Sequence, residues 1–134
     1  MKKKIAIYDW NKLEDRQPAH ALIRNTDLVL VRYDDDVSVL YGRCLHRGAL
    51  LADGYIDGHN LICGVHYWDY RYDTGVSEYN NSEVLHKFSA EVQNGKVWID
   101  EAEIEAFETE HPQAFDRSEY LGAYVSTQPA AEEP

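Results

Sequence analysis

Cysteine is scarce in this chain of 134 residues: there are two, Cys44 and Cys63. A scaffold stapled by several disulfides is therefore excluded, and a single bridge is the most that oxidation can make. Long apolar runs are missing too. Nothing approaches the roughly 18 consecutive apolar residues needed to span a bilayer. The run Ile5-Ala6-Ile7-Tyr8 that follows the opening lysines is too short for a secretory signal. These absences predict a soluble, cytoplasmic protein whose lysine-rich start is simply solvated. Basic residues are also few, 13 Lys and Arg against 24 Asp and Glu, for a net charge of −11. A nucleic-acid backbone binder needs the opposite balance, clustered on one face. The deficit is uneven: residues 1–99 carry 12 basic and 14 acidic groups, whereas residues 100–134 carry one and ten.

Apolar residues make up 44% of the chain, and ten tyrosines and three tryptophans are among its aromatics, the composition of a packed globular protein. The length suits one domain. Short runs rich in β-branched and aromatic residues predict strands at Lys4 to Tyr8, Ala19 to Ile23, Leu28 to Tyr33 and Val37 to Tyr41, separated by turn-forming Asn25-Thr26-Asp27 and Asp34-Asp35-Asp36. A further pair, Lys87 to Val92 and Lys96 to Ile99, flanks Asn94-Gly95, a dipeptide suited to a tight hairpin. Between the two β regions, Arg43 to Asn81 is rich in Gly, Asp, His and Tyr and reads as loops without a large core. From Glu101 a short helix with an acidic first turn is predicted, ended by His111-Pro112, and Gln113 to Pro134 reads as a tail.

The loop-rich middle contains Cys44-Leu45-His46 and Cys63-Gly64-Val65-His66, separated by sixteen residues. A thiolate and an imidazole two or three residues apart on one loop can both reach a metal, and two such loops can face each other across it. Three readings compete. Structural zinc sites usually pair like ligands, whereas each pair here is mixed. A disulfide between Cys44 and Cys63 leaves both histidines unexplained. A 2Fe-2S cluster with two Cys on one iron and two His on the other asks for one of each from each loop, and the chemistry favours it.

These residues resemble a known family. Cys44-Leu45-His46-Arg47-Gly48-Ala49-Leu50-Leu51-Ala52-Asp53-Gly54 and Cys63-Gly64-Val65-His66-Tyr67-Trp68-Asp69-Tyr70 are similar to the two cluster boxes of Rieske ferredoxins and of the Rieske domains of ring-hydroxylating oxygenases. The resemblance is specific over Tyr41 to Gly75. It implies an all-β Rieske fold of antiparallel sheets, with a small cluster-binding subdomain at about 42–81 inside a domain of 1–100, followed by an acidic helix and tail at 101–134. It also implies one 2Fe-2S cluster per chain on Cys44, His46, Cys63 and His66, with the cysteine-held iron buried and the imidazoles near the surface as the electron port.

Two departures from the family pattern have consequences. Tyr67 follows the last ligand where the family usually has Gly, which predicts a less sharply bent loop or one partly covering the cluster. The extra loop cysteines of high-potential members are absent, and Trp68 stands where those members have a serine hydroxyl. Tyr70 occupies the position of a tyrosine that donates to a ligand thiolate. Because hydrogen bonds to cluster sulfur raise the potential, these features predict one in the lower half of the family range of roughly −150 to +300 mV. Gly48, Gly54 and Gly64 are expected to permit tight turns or close backbone approach. Arg43 and Arg47 are expected to face solvent, steering an acidic partner or forming surface ion pairs. His20, His59, His86 and His111, without ligand partners at metal spacing, read as surface or turn residues.

Nothing in the sequence suggests another chemistry: there is no phosphate-cradling glycine loop, no second ligand set and no thiol left for nucleophilic catalysis. The expected role is a one-electron carrier, not an enzyme in itself, between a flavin-containing reductase and an oxygenase or other redox enzyme, with no nucleic-acid or membrane partner. Two other readings stand beside it. One is a structural or sensory cluster. The other is an N-terminal module of a larger flavoenzyme, because Phe115 to Gly122 weakly resembles the linker before a glutamate-synthase-like flavin domain.

Overall fold

The computed structural model describes residues 3–45, 48–65 and 67–111. Among the described residues, ten strands form three antiparallel sheets. The first sheet places β10 (Lys96–Asp100) between β1 (Lys4–Asp9) and β9 (Ala90–Gln93). The second has the order β2 (Ala19–Ile23), β3 (Thr26–Tyr33), β4 (Asp36–Tyr41), β8 (Lys87–Phe88). The third is a small sheet of β5 (Tyr55–Asp57), β6 (Asn60–Ile62) and β7 (Asp69–Arg71). The all-β class expected from the sequence is therefore present, and one helix, α1 (Glu101–Glu110), follows β10 directly.

The central strand β3 explains the division into two cores. Every residue from Thr26 to Val31 is buried, so the side chains that alternate across the pleat fill opposite faces. Leu28 and Leu30 join Ile7, Val39, Phe88, Val97 and Ile99 in one cluster. Val29 and Val31 join Leu40, Cys44, Leu61, Cys63, Tyr70 and Leu85 in the other. The middle of the chain thus has a core of its own, contrary to the expectation of coreless loops. Its buried residues come from short separate runs, Ala49 to Ala52 and Leu61 to Cys63, too short to show a period.

The predicted strand from Lys87 to Val92 is two strands. Phe88 pairs with Val39 in the second sheet, while Ala90 pairs with Ile99 in the first. Ser89 lies between them, its N–H donated to the Glu103 carboxylate at 3.0 Å, so the chain changes sheets at a point held by the helix. The Asn94-Gly95 hairpin forms as expected, both residues having positive φ (54° and 74°), the conformation such a two-residue turn requires. The Asp34 to Asp36 turn also forms, linking β3 to β4.

Helix α1 begins at Asp100, whose carboxylate accepts the Ala102 N–H at 2.9 Å, and ends at His111 as predicted; Pro112 and the tail lie outside the described residues. Ile104 and Phe107 are buried in the first core. Each such side chain contributes roughly 1.5–3 kcal/mol on burial. Glu108 fixes the helix to the β2–β3 turn by accepting from the Asn25 N–H (2.9 Å), the Thr26 hydroxyl (2.7 Å) and Arg24 (3.1 Å). None of the described helices is long and apolar enough to cross a membrane.

Candidate metal centre

Two turns, one ahead of β5 and one linking β6 to β7, carry the cysteines. In the first, Arg43 bridges Leu50, the Cys44 N–H donates to the Ala49 carbonyl (2.8 Å), and the Gly48 N–H donates to the Cys44 carbonyl (2.8 Å). In the second, Ile62 pairs with Asp69, the Cys63 N–H donates to the Trp68 carbonyl (2.8 Å), and the Tyr67 N–H donates to the Cys63 carbonyl (2.9 Å). The two turns therefore repeat one hydrogen-bond pattern, with each cysteine at the same place in it. Gly48 and Tyr67 are equivalent in this pattern, and both take left-handed backbone angles, φ 79° and 62°. The expectation of a slacker bend at Tyr67 is thus corrected: the second turn is as tight as the first and holds a tyrosine in a conformation that favours glycine. The Tyr67 side chain is 70% exposed.

The two cysteines are not bridged to each other and each is 1% exposed, so the disulfide alternative is not realised. They lie in the second core beside Ala49, Leu51, Ala52, Leu61 and Tyr70. The Tyr70 hydroxyl lies 3.6 Å from Cys44 Sγ and accepts the Leu45 N–H at 3.1 Å. With its oxygen occupied by that N–H, the phenolic proton is left for the sulfur. Burial, and next the hydrogen bond with Cys44, push the Tyr70 hydroxyl well above the usual tyrosine range, so it stays a donor. Trp68 is half-buried against the second core, with its ring edge-to-face with Tyr79 at 6.0 Å.

Close backbone approach brings the two turns together. A Cβ at Gly54 would lie 1.9 Å from the Ile62 carbonyl oxygen, so only glycine lets the end of the first box pass β6 just before Cys63. His46, Arg47 and His66 lie outside the described residues. The structure accordingly places Cys44, Gly48, Cys63, Trp68 and Tyr70 of the expected site together. Two buried, unbridged thiols on matched turns, one facing a hydroxyl donor, are a donor set that fits an iron held by thiolates.

Arg43 was misjudged from sequence. Far from facing solvent, it is fully buried, its Nε donating to Asp27 (2.8 Å) and its Nη1 to the Gly48 carbonyl (2.7 Å). His20 was also misjudged: it is 7% exposed, with Nε2 2.9 Å from the other Asp27 oxygen. A charged residue directly before Cys44, together with an acid ahead of the apolar run Leu28 to Val31, is the signal that pairs them.

The fold and the paired turns define an all-β protein with two matched cysteine turns. Residues 3–89 match the model of the Rieske [2Fe-2S] domain, and the chain belongs to that family. Membership implies a 2Fe-2S cluster as its cofactor. Methylxanthine N1-demethylase NdmA of Pseudomonas putida is 32% identical over 92 residues, 61% of this chain but only 26% of the demethylase. Among solved structures, the Sphingomonas yanoikuyae B1 ferredoxin superposes with a TM-score of 0.67 at 24% identity, covering 73% of this chain and 98% of that one. The ferredoxin of carbazole 1,9a-dioxygenase from Nocardioides aromaticivorans gives 0.67 at 16%, covering 73% and 97%. A complex of oxygenase and ferredoxin of carbazole 1,9a-dioxygenase gives 0.64 at 22%, covering 72% of this chain and 28% of that chain.

Proposed function

We propose that this chain is a one-electron carrier in which Cys44 and Cys63 hold one iron of the cluster and His46 and His66 hold the other. The cluster supplies a reversible one-electron couple. The chain supplies the rest: the second core keeps water from the thiolates, the Tyr70 hydroxyl donates to Cys44, and the matched turns fix both cysteines. The observation that carries this reading is that the turns have the same hydrogen-bond pattern and present both thiols to one buried region. In this reading residues 42–81 are the cluster-binding subdomain of a domain spanning 1–100, and residues 101–134 are its acidic helix and tail. The Trp68 ring in place of a hydroxyl suits a potential in the lower half of the family range of roughly −150 to +300 mV, with the Tyr70 donor the one such bond retained.

The donor in this proposal is a flavin-containing reductase and the acceptor an oxygenase or another redox enzyme, in the cytoplasm. Support for the acceptor is the likeness to ferredoxins of dioxygenase systems and to a complex of such a ferredoxin with its oxygenase. A second reading, a Rieske module of a longer oxidoreductase, is favoured by the match to about a quarter of the demethylase. Stopped-flow reduction by a flavin reductase, followed by oxidation by an oxygenase, tests the carrier role. Rapid, complete exchange with both is expected, whereas a cluster that neither partner reduces or oxidises contradicts it.

A further inference from the structure

The buried ion pair beside the first turn has no counterpart in a simple account of the ligands. Asp27, on β3, and Arg43, just beyond the end of β4, are both completely buried, and such a pair adds little stability over apolar residues of the same size. Its position suggests another use. Gly42 lies against the backbone of Asp27, where a Cβ would come within 2.7–2.9 Å of main-chain atoms, and its N–H donates to the Asp27 carbonyl at 2.7 Å. That contact brings Arg43 alongside the Asp27 carboxylate. The guanidinium, gripped at Nε by Asp27, then reaches along the turn to the Gly48 carbonyl with Nη1. His20, on the neighbouring strand, holds the other oxygen of Asp27 at 2.9 Å and prevents the carboxylate from rotating.

The grip falls on one peptide unit. Gly48 already uses its N–H on the Cys44 carbonyl, and Ala49 uses its carbonyl on the Cys44 N–H. With the Gly48 carbonyl fixed to Arg43, planarity of the trans peptide fixes the Ala49 N–H in the opposite direction, away from the guanidinium. That peptide closes the turn that carries Cys44, and the orientation of a peptide dipole in a ligand turn is the kind of feature that tunes an iron–sulfur centre.

We propose that Arg43, braced by Asp27 and His20, is the positioning residue of the first cluster turn, and that it sets the potential through the geometry of the 48–49 peptide. The proposal rests on the ligand assignment above. The charges of Asp27 and Arg43 cancel, so their influence on the cluster is geometric. A single ammonium cannot hold Asp27 and the Gly48 carbonyl as the planar fork does.

Two variants that leave the net charge unchanged test it in the cluster-loaded full chain: Arg43→Lys, and Asp27→Asn combined with Arg43→Met. The double variant removes both buried charges together, and Arg43→Lys, which keeps the pair, decides the question if the double variant does not fold. The expected result is full iron content, a broadened electron paramagnetic resonance spectrum, and a one-electron equilibrium about tenfold less favourable to reduction, which is about 59 mV. A folded variant with the parent's spectrum and potential, altered only in thermal stability, overturns the proposal and leaves Arg43 a structural residue. If the parent itself lacks the spectrum of mixed His and Cys ligation, it is the ligand assignment that fails.

Discussion

Substituting Tyr70→Phe removes one hydroxyl, which donates to sulfur and accepts from a backbone N–H, and leaves the ring in its buried slot. The hydroxyl lies 3.6 Å from Cys44 Sγ, and its oxygen accepts the Leu45 N–H at 3.1 Å. A hydrogen bond to a charged group is worth about 1.5–3 kcal/mol. Reduction adds negative charge to the cluster, so the bond strengthens in the reduced state. If about 1 kcal/mol of it is differential, and about 1.4 kcal/mol corresponds to 59 mV for one electron, the variant's potential falls by about 40 mV. The Leu45 N–H also loses its acceptor, at about 1–3 kcal/mol of stability. Because Tyr70 is held well above the ordinary tyrosine value of 10.0, the gap between parent and variant should persist through the alkaline range in which a free tyrosine ionises. Spectroelectrochemical titration of both proteins across pH measures this. An unchanged or raised potential in the variant, with the cluster intact, refutes the bond.

Gly54→Ala forces a Cβ to 1.9 Å from the Ile62 carbonyl oxygen, which no side-chain movement relieves; a loss of roughly 3 kcal/mol or more is expected in denaturant unfolding, together with reduced iron content. At Tyr67, φ of 62° makes a β-branched residue worse and glycine better. Tyr67→Val should lower the unfolding free energy by about 1 kcal/mol and Tyr67→Gly should hold or raise it. For Glu108, burial raises its carboxyl, but the Thr26 hydroxyl, the Asn25 N–H and Arg24 together outweigh this and hold it below its ordinary 4.5. Its contribution is therefore present above pH 4.5 and lost as pH falls through the lower folded value. Unfolding free energies measured from neutral pH into acid should fall less steeply for Glu108→Gln than for the parent.

Much of the β architecture is legible because runs of β-branched and aromatic residues mark the strands and Asp and Asn-Gly mark the turns, although Thr26 and Asp27, expected in a turn, belong to β3 and the turn is Arg24-Asn25. The break at Ser89 is not legible, since a run that changes sheets keeps the same composition on both sides of the change; only its contact with Glu103 reveals it. The small sheet β5–β7 escaped because each of its strands has three residues, too few for a period. At the site, the spacing of Cys44 and Cys63 with their histidines carried the chemistry, and Tyr70 was found from its place in the second box. The tight turn at Tyr67 is not legible from residue type, which does not fix φ; the repeated hydrogen bonds impose it. Arg43 and His20 were misread for a common reason: burial of a charged or polar side chain depends on a partner distant in sequence, and Asp27 is that partner for both.

Paramagnetic resonance of the dithionite-reduced, cluster-loaded chain tests the central claim most directly. Mixed ligation by Cys44, Cys63, His46 and His66 predicts one 2Fe-2S spin per chain with the low average g value of two imidazoles on the reducible iron. A spectrum with the higher average g of all-cysteine ligation, or a zinc-loaded protein with no signal, contradicts it.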